Sequence, residues 1–303
     1  VTNLAVFVYT SCMNQSPYIL IDQQKQDNIS VFDRGLAYGD GLFETMKVDH
    51  GKIALWQYHY ERLFLGLKRL SIPLNKSSLF EQLNQSLDYF QSTSGVLKLI
   101  VTRHQGGRGY APPIDSKSTL VSIADPSDKN NVNQSRAEKG VSVHYCNEYL
   151  SVNASLAGIK SLNQLSYVLA SQERQGLPFD EGLLFSSQGH LIEATSRNVF
   201  LVKGGELYTP LLDQCGVEGV LRRLIIEDIA PEIGMVAHEC LLTKLDIQQA
   251  DEIFVTNSIT GVWPVIRCNE IEWVVGVATQ KIQRHVTSFL QFNTSLAYSL
   301  VDQ

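Results

Sequence analysis

Ser155-Leu-Ala-Gly-Ile-Lys160-Ser-Leu-Asn-Gln-Leu165-Ser-Tyr-Val-Leu-Ala170-Ser-Gln-Glu-Arg-Gln175, followed by Gly176, is the stretch around which the rest of the chain is organised. Leu162, Leu165, Val168 and Leu169 recur at helical spacing, Glu173 and Arg174 take the polar side, and Gly176 suits a C′ stop, so the second half predicts a helix. Lys160 then falls where that helix begins. The partial positive charge of a helix N-terminus and an apolar approach through Leu156, Ala157 and Ile159 both favour a neutral amine. A neutral lysine is a nucleophile of the kind that forms a Schiff base with an aldehyde cofactor. Read alone, the same residue also fits a surface lysine at a helix start.

The chain has 303 residues, 44% hydrophobic and 18% charged. That length predicts two packed domains, and the composition is that of a globular protein with a sizeable core. A formal charge of −6 leaves no electrostatic footprint for nucleic acid or an anionic membrane, so a small-molecule site with local donors is expected. Cys12, Cys146, Cys215, Cys240 and Cys268 are odd in number, far apart and without metal-ligand spacing, which reads as reduced thiols in a cytoplasmic protein with no metal site. No window approaches the roughly 18 apolar residues of a membrane-spanning helix. The opening residues carry an apolar patch but no basic region, so no signal peptide is read there and residues 1–17 are treated as an appendage.

Tyr18 to Val31 reads as strand, turn, strand. Gly35, Gly39 and Gly41, between Asp33 and Thr45, mark a loop where backbone comes close to a neighbour, with or without a ligand. A strand over Phe43–Val48 and a turn at Asp49-His50-Gly51 follow. Trp56–Leu70 is a helix with Leu63, Phe64, Leu67 and Leu70 as its buried stripe. Arg62 borders that stripe, where a guanidinium either reaches a cleft or snorkels outward. A helix over Leu79–Phe90 and strands over Val96–Thr102 and Leu120–Ala124 come next. Between those strands, Arg103 to Tyr110 forms a glycine-rich turn whose Arg103, His104, Arg108 and Tyr110 either meet a substrate carboxylate or form a solvated tip. The aperiodic, polar run that follows predicts a linker. The division expected is a domain of residues 18–125, a linker of 126–139 and a domain of 140–303.

In the second half, Val141–Cys146, Leu183–Ser186, Leu191–Thr195, Val199–Val202 and Glu206–Tyr208 read as short strands of a meander or barrel. Glu193 lies inside one of them and must either face water or meet a cationic partner; alternation alone favours water. Gly219 leaves the N–H groups of Val220 and Leu221 free at the start of a helix running to about Ile229, an anion site suited to phosphate. A strand from Ala250 leads into a hydroxyl-rich loop where Asn257 and Ser258 offer further donors. Gln280–Tyr298 is a last amphipathic helix.

In this order these features resemble the fold-type IV pyridoxal-phosphate enzymes, which include branched-chain and D-amino-acid aminotransferases and aminodeoxychorismate lyases. The resemblance runs from about Tyr18 to at least Val265. It implies an α/β (α+β) fold with a smaller N-terminal α/β domain and a larger, strand-rich, barrel-like domain that binds pyridoxal 5′-phosphate. It also implies a homodimer, with the active site between domains near a subunit boundary. Residue by residue, Lys160 matches the family's Schiff-base lysine, Glu193 the carboxylate paired with the pyridine nitrogen, and Arg62 the phosphate-binding arginine. Val220 and Leu221 match the helix-start amides, and Asn257 and Ser258 the last phosphate contacts.

Ala157-Gly158-Ile159-Lys160, Gly106-Gly107-Arg108-Gly109-Tyr110 and Leu212-Asp213-Gln214-Cys215-Gly216-Val217 look like the lyases of this family. That likeness implies elimination of pyruvate from 4-amino-4-deoxychorismate, giving 4-aminobenzoate for folate biosynthesis. Arg108 and Tyr110 are then candidates for substrate carboxylate contacts, and Thr45 or the Thr256 loop for protonating the leaving group. Lys160-Ser161-Leu162-Asn163 is instead similar to D-amino-acid aminotransferases, so an aminotransferase acting on D- or branched-chain amino acids is the alternative. A non-catalytic protein that kept the fold is a further alternative, against which the joint presence of Lys160, Glu193 and Arg62 argues.

Overall fold

The protein is described here by a computed structural model, which covers residues 16–107, 109–126 and 130–292. Six antiparallel strands form the first sheet: β1 (Tyr18–Ile21), β2 (Gln24–Lys25), β3 (Gly41–Asp49), β4 (Lys52–Ile53), β5 (Ser94–Thr102) and β6 (Thr119–Asp125), in the order β2-β1-β6-β5-β3-β4. Alternation along β3 buries Leu42, Glu44, Met46 and Val48 on one face. That face is covered by α2 (Trp56–Leu70) and α3 (Lys76–Asp88), whose Leu63, Leu67, Leu79 and Leu83 complete the core. Phe43, Thr45 and Lys47 point to the opposite, more open face.

Three local expectations in this half are corrected. The first hairpin returns at Gln24 rather than near Ile29, because Asp22 and Gln23 both adopt left-handed backbone and close a two-residue turn. Ile29, Val31 and Phe32 are left exposed. The glycine-rich segment contains a helical turn, α1 (Arg34–Tyr38), capped by the Asp33 carboxylate on the Gly35 and Leu36 amides and ended by Gly39 in the left-handed region. A Cβ on Gly35 would collide with the Thr102 side chain, so the close neighbour at that glycine is the protein's own strand. The expected linker carries helix α4 (Asn130–Lys139). Helix-favouring Gln134, Arg136, Ala137, Glu138 and Lys139 outweigh the missing apolar stripe, and Ala137 packs on the second core.

The second sheet has nine strands: β7 (Val141–Leu150), β8 (Glu181–Ser186), β9 (Leu191–Ala194), β10 (Asn198–Lys203), β11 (Glu206–Pro210), β12 (Ala237–Cys240), β13 (Glu252–Asn257), β14 (Gly261–Cys268) and β15 (Ile271–Glu272). Their order is β12-β11-β10-β13-β14-β7-β8-β9, with β15 against β14, and the β7–β8, β7–β14 and β11–β12 pairs are parallel. Each face carries its own core. Over one lie α6 (Val220–Leu224), a π-helical continuation over Ile225–Ile229, α7 (Ala230–Glu232) and α9 (Val277–Phe292). α8 (Lys244–Gln248) contributes Ile247 to the other. The architecture is the α/β arrangement expected, with a smaller sheet and its helices formed by the first half of the chain and a larger, strand-rich sheet by the second.

α5 spans Leu165–Glu173 and starts five residues after Lys160, later than the spacing predicts. Residues 160–162 are tied to β3 instead, because Phe43 N–H donates to Lys160 O and Leu162 N–H to Gly41 O, both at 3.0 Å. The apolar stripe of α5 also faces the wrong way for a core: Leu165 is 70% exposed and Val168 51%, whereas Ala170 is buried. Residues 1–15, including Cys12 and most of the expected appendage, lie outside the described residues, as do Arg108 and the tail of the last expected helix beyond Phe292. Among the described residues no helix is long and apolar enough to cross a membrane, and no cluster of His, Cys, Asp and Glu could hold a metal ion.

Candidate active site

Lys160 sits where the two sheets meet. Its carbonyl is bonded to β3 of the first sheet, while two residues earlier Gly158 N–H donates to Gly216 O at 2.9 Å and Gly158 O accepts from Glu218 N–H at 3.0 Å. Arg69 of α2 donates to Ala157 O and ties down the same segment. The Lys160 ammonium lies 4.4 Å from the centre of the Phe43 ring, which Lys98 approaches at 5.2 Å from β5. Burial, and then the nearby Arg62 charge, lower the Lys160 pKa from 10.5 to about 8. Desolvation, one of the two causes the sequence offers, therefore brings the neutral amine within reach near pH 8, while α5 starts too far along the chain for its dipole to contribute.

Arg62 enters from α2 and is held by a buried carboxylate. Its Nε and Nη2 donate to Glu44 Oε1 and Oε2, and Nη1 donates to Glu218 O at 2.9 Å. Guanidinium has five N–H groups, so donors remain on Nη1 and Nη2 for an anion. His59 Nδ1 lies 2.6 Å from Glu44 Oε2, and its Nε2 is buried without a hydrogen-bond partner. Burial lowers the His59 pKa and keeps the ring neutral, which assigns the Nδ1 proton to the Glu44 bond. Burial opposes the Glu44 charge, yet Arg62 and then His59 overcome it and hold the carboxyl down at about 2. The sequence singled out Arg62 but missed Glu44 and His59.

Glu193 points inward. β9 is buried along its whole length, so alternation carried no information there. Its Oε1 accepts from Tyr167 O–H and, at 2.9 Å, from Val217 N–H; its Oε2 accepts from Asn198 Nδ2 at 3.3 Å. None of these donors is charged. Burial raises the Glu193 pKa from 4.5 to about 7 against their pull. Gly219, as expected, begins α6 with no side-chain cap. A Cβ there would collide with Asn198 Oδ1, so the close approach of the helix start to Asn198 requires glycine.

The remaining sequence candidates fall into two groups. Thr45 shares the open face of β3 with Phe43, and its carbonyl accepts from Ser258 Oγ at 3.2 Å, which joins the β13–β14 turn to this site. The Asn257 carboxamide is engaged in closing its own turn, accepting from Ile259 and Thr260 N–H at 3.1 and 2.9 Å. Tyr110 is 86% exposed and packs edge-on against Tyr38. Arg103 is buried on Asp40, Leu70 O and Ser71 O, so its charge is spent on the fold.

The family model described as Amino-transferase class IV matches residues 41–268. The chain belongs to the class IV aminotransferases. It is 33% identical over 272 residues to an aminodeoxychorismate lyase from Vibrio harveyi, covering 87% of this chain and 97% of that protein. It is also 33% identical over 245 residues to a putative branched-chain-amino-acid aminotransferase from Methanocaldococcus jannaschii, covering 80% and 83%. The crystal structure of 4-amino-4-deoxychorismate lyase from Pseudomonas aeruginosa superposes with a TM-score of 0.85 at 37% identity, over 90% of this chain and all of that one. As a class IV aminotransferase the protein is a pyridoxal-phosphate enzyme. Its residues fit that cofactor. Glu193 is a buried carboxylate with no hydrogen bond from a cation among the described residues, which a pyridinium N–H would complete. The Arg62 fork and the uncapped start of α6 suit a phosphate.

Proposed function

We propose that this class IV enzyme is a 4-amino-4-deoxychorismate lyase, releasing pyruvate and leaving 4-aminobenzoate for folate biosynthesis. The observation that carries this reading is the match, over nearly the full length of each, to lyases in both sequence and structure. Pyridoxal phosphate supplies an aldehyde for covalent attachment and a ring that stabilises negative charge on the substrate carbon. Lys160 would hold the cofactor, and its amine, when free, would accept the proton from the substrate carbon that bears the amine. Glu193 would accept a hydrogen bond from the pyridine nitrogen and keep it protonated. Arg62, with the Val220 and Leu221 amides, holds the phosphate, and the Asn257–Ser258 turn closes the site beside Thr45. Protonation of the leaving group is assigned to Thr45 or the Thr256 loop, and Arg108 and Tyr110 to the substrate carboxylates.

The same reading includes a homodimer in the cytoplasm. Val31, Phe32, Leu36, Leu165, Val168 and Leu169 are exposed apolar side chains. Asn163 Nδ2 donates to Gly39 O at 3.2 Å, which places the segment before α5 beside the end of α1. Such a face suits a second copy of the chain. A dimer in sedimentation that dissociates in Val168→Glu supports it; a monomeric wild type refutes it. Cys146, Cys215, Cys240 and Cys268 are free thiols, which suits a reducing compartment.

The deciding experiment supplies aminodeoxychorismate with no oxo acid present. Growth of 4-aminobenzoate fluorescence with matching pyruvate release supports the lyase. Turnover only when an amino acid and a 2-oxo acid are both supplied supports an aminotransferase instead. The likeness to the Methanocaldococcus jannaschii protein and the Lys160-Ser161-Leu162-Asn163 segment favour that second reading.

A further inference from the structure

Tyr167 belongs to no motif read from the sequence, yet its phenol is the one side-chain hydroxyl hydrogen-bonded to Glu193 among the described residues. The ring packs against a buried cluster that includes Cys146, Leu150, Ala170, Leu184 and Ile192, and the hydroxyl emerges from it onto Oε1. A carboxylate offers about four lone-pair positions. Tyr167 and Val217 N–H occupy both on Oε1, and Asn198 Nδ2 takes one on Oε2 while also donating to Val217 O at 2.8 Å. One position on Oε2 stays open. The three donors come from α5, the loop before α6 and β10, so the carboxylate is fixed against rotation from three sides.

We propose that Tyr167 is a positioning residue for the cofactor nitrogen: its phenol anchors Oε1 of Glu193 so that the open position on Oε2 is presented to the pyridine ring. This rests on the reading of Glu193 as the cofactor's carboxylate. The phenol does a second job there. Burial drives Glu193 to take up a proton, and Tyr167 is the first of the groups that oppose it, ahead of the Val217 amide, Lys160 and Arg222. The other titratable groups facing Glu193 do not replace it. Arg222 is bonded to Glu239 and Pro210 O, and the Cys215 thiol is pushed up to about 11 by burial and then by Glu193 itself. Without the phenol, Glu193 would bind its own proton more tightly and would present an acid to the ring in place of a carboxylate.

Tyr167→Phe keeps the packing ring and deletes only the donor. In cofactor-free protein, the infrared C=O band of protonated Glu193, assigned by its loss in Glu193→Gln, reports the titration directly. The midpoint is expected to rise by about one pH unit in Tyr167→Phe, with the thermal transition of the variant serving as the check on packing. In cofactor-loaded protein, pyridoxal phosphate labelled with 15N in the ring is expected to show a nitrogen signal moved toward the unprotonated form, together with faster cofactor release. An unchanged midpoint and an unchanged nitrogen signal overturn the proposal. If Glu193→Gln itself leaves the nitrogen signal unmoved, the assignment of Glu193 to the cofactor falls first and the role of Tyr167 falls with it.

Discussion

Glu44 and Arg62 face each other as a two-pronged pair, with Nε on Oε1 at 2.9 Å and Nη2 on Oε2, at a place where the carboxylate is 1% exposed. With Arg62 in the proposed phosphate-binding role, a negative charge beside it weakens raw attraction, so the value of Glu44 is orientation: it turns the free edge of the guanidinium to one direction. Replacing Glu44 by Gln leaves Arg62 with half its anchor. Cofactor affinity is expected to fall roughly tenfold, about 1.4 kcal/mol, and global stability by roughly 3 kcal/mol. Fluorescence titration of cofactor-free protein with pyridoxal phosphate, beside urea unfolding, measures both. Undiminished affinity would count against the orienting role.

Lys160 in cofactor-free protein is expected to become reactive toward an acylating reagent with a midpoint near pH 8, following its lowered pKa. Site-resolved mass spectrometry against pH checks this. A midpoint in the ordinary lysine range would contradict the desolvated seat between the sheets. Lys160→Ala should lose both the covalent cofactor absorption and turnover.

Glu193 makes stability depend on pH in the cofactor-free protein. Its folded pKa, about 7, lies above the ordinary glutamate value of 4.5. The group's contribution is therefore complete below pH 4.5 and is lost as pH rises through about 7, amounting to roughly 3 kcal/mol. Glu44 acts oppositely: held down at about 2, it contributes above pH 4.5 and loses that contribution as pH falls toward 2. Urea midpoints between pH 5 and pH 8 should fall for the wild type and stay flatter for Glu193→Gln. Equal slopes would show that another group controls this window.

Gly219→Ala tests the helix start. The new methyl meets Asn198 Oδ1, and Asn198 holds both Glu193 and Val217. A stability loss of about 1–3 kcal/mol is expected, with weakened cofactor binding in the same titration. Unchanged binding would separate the helix start from the cofactor.

The periodic elements were legible. α2 matched its spacing from Trp56 to Leu70, and Leu63 and Leu67 are buried as expected, because packing on one face of a sheet is what a 3.6-residue period encodes. Tertiary facts were not. Alternation points Glu193 outward although β9 is covered on both faces, and of the two causes the sequence offers for the Lys160 amine the apolar approach holds while the helix start does not, because nothing local records the bonds to Phe43 and Gly41. The α5 stripe was legible as apolar but not as exposed. Glu44 could have been found: alternation along Leu42, Glu44, Met46 and Val48 puts a carboxylate among core positions, and a buried carboxylate demands a cation. Tyr167 left no such trace, since its partner lies 26 residues away on another element.

Lys160, the proposed nucleophile, rides on a segment hydrogen-bonded to the first sheet through Phe43 and to the loop before α6 through Gly158. Neither half of the chain therefore owns the nucleophile. A gene split within α4, giving one polypeptide for each sheet, would yield two inert fragments, and the return of the cofactor's covalent absorption on mixing them would serve as a direct assay of their reassociation.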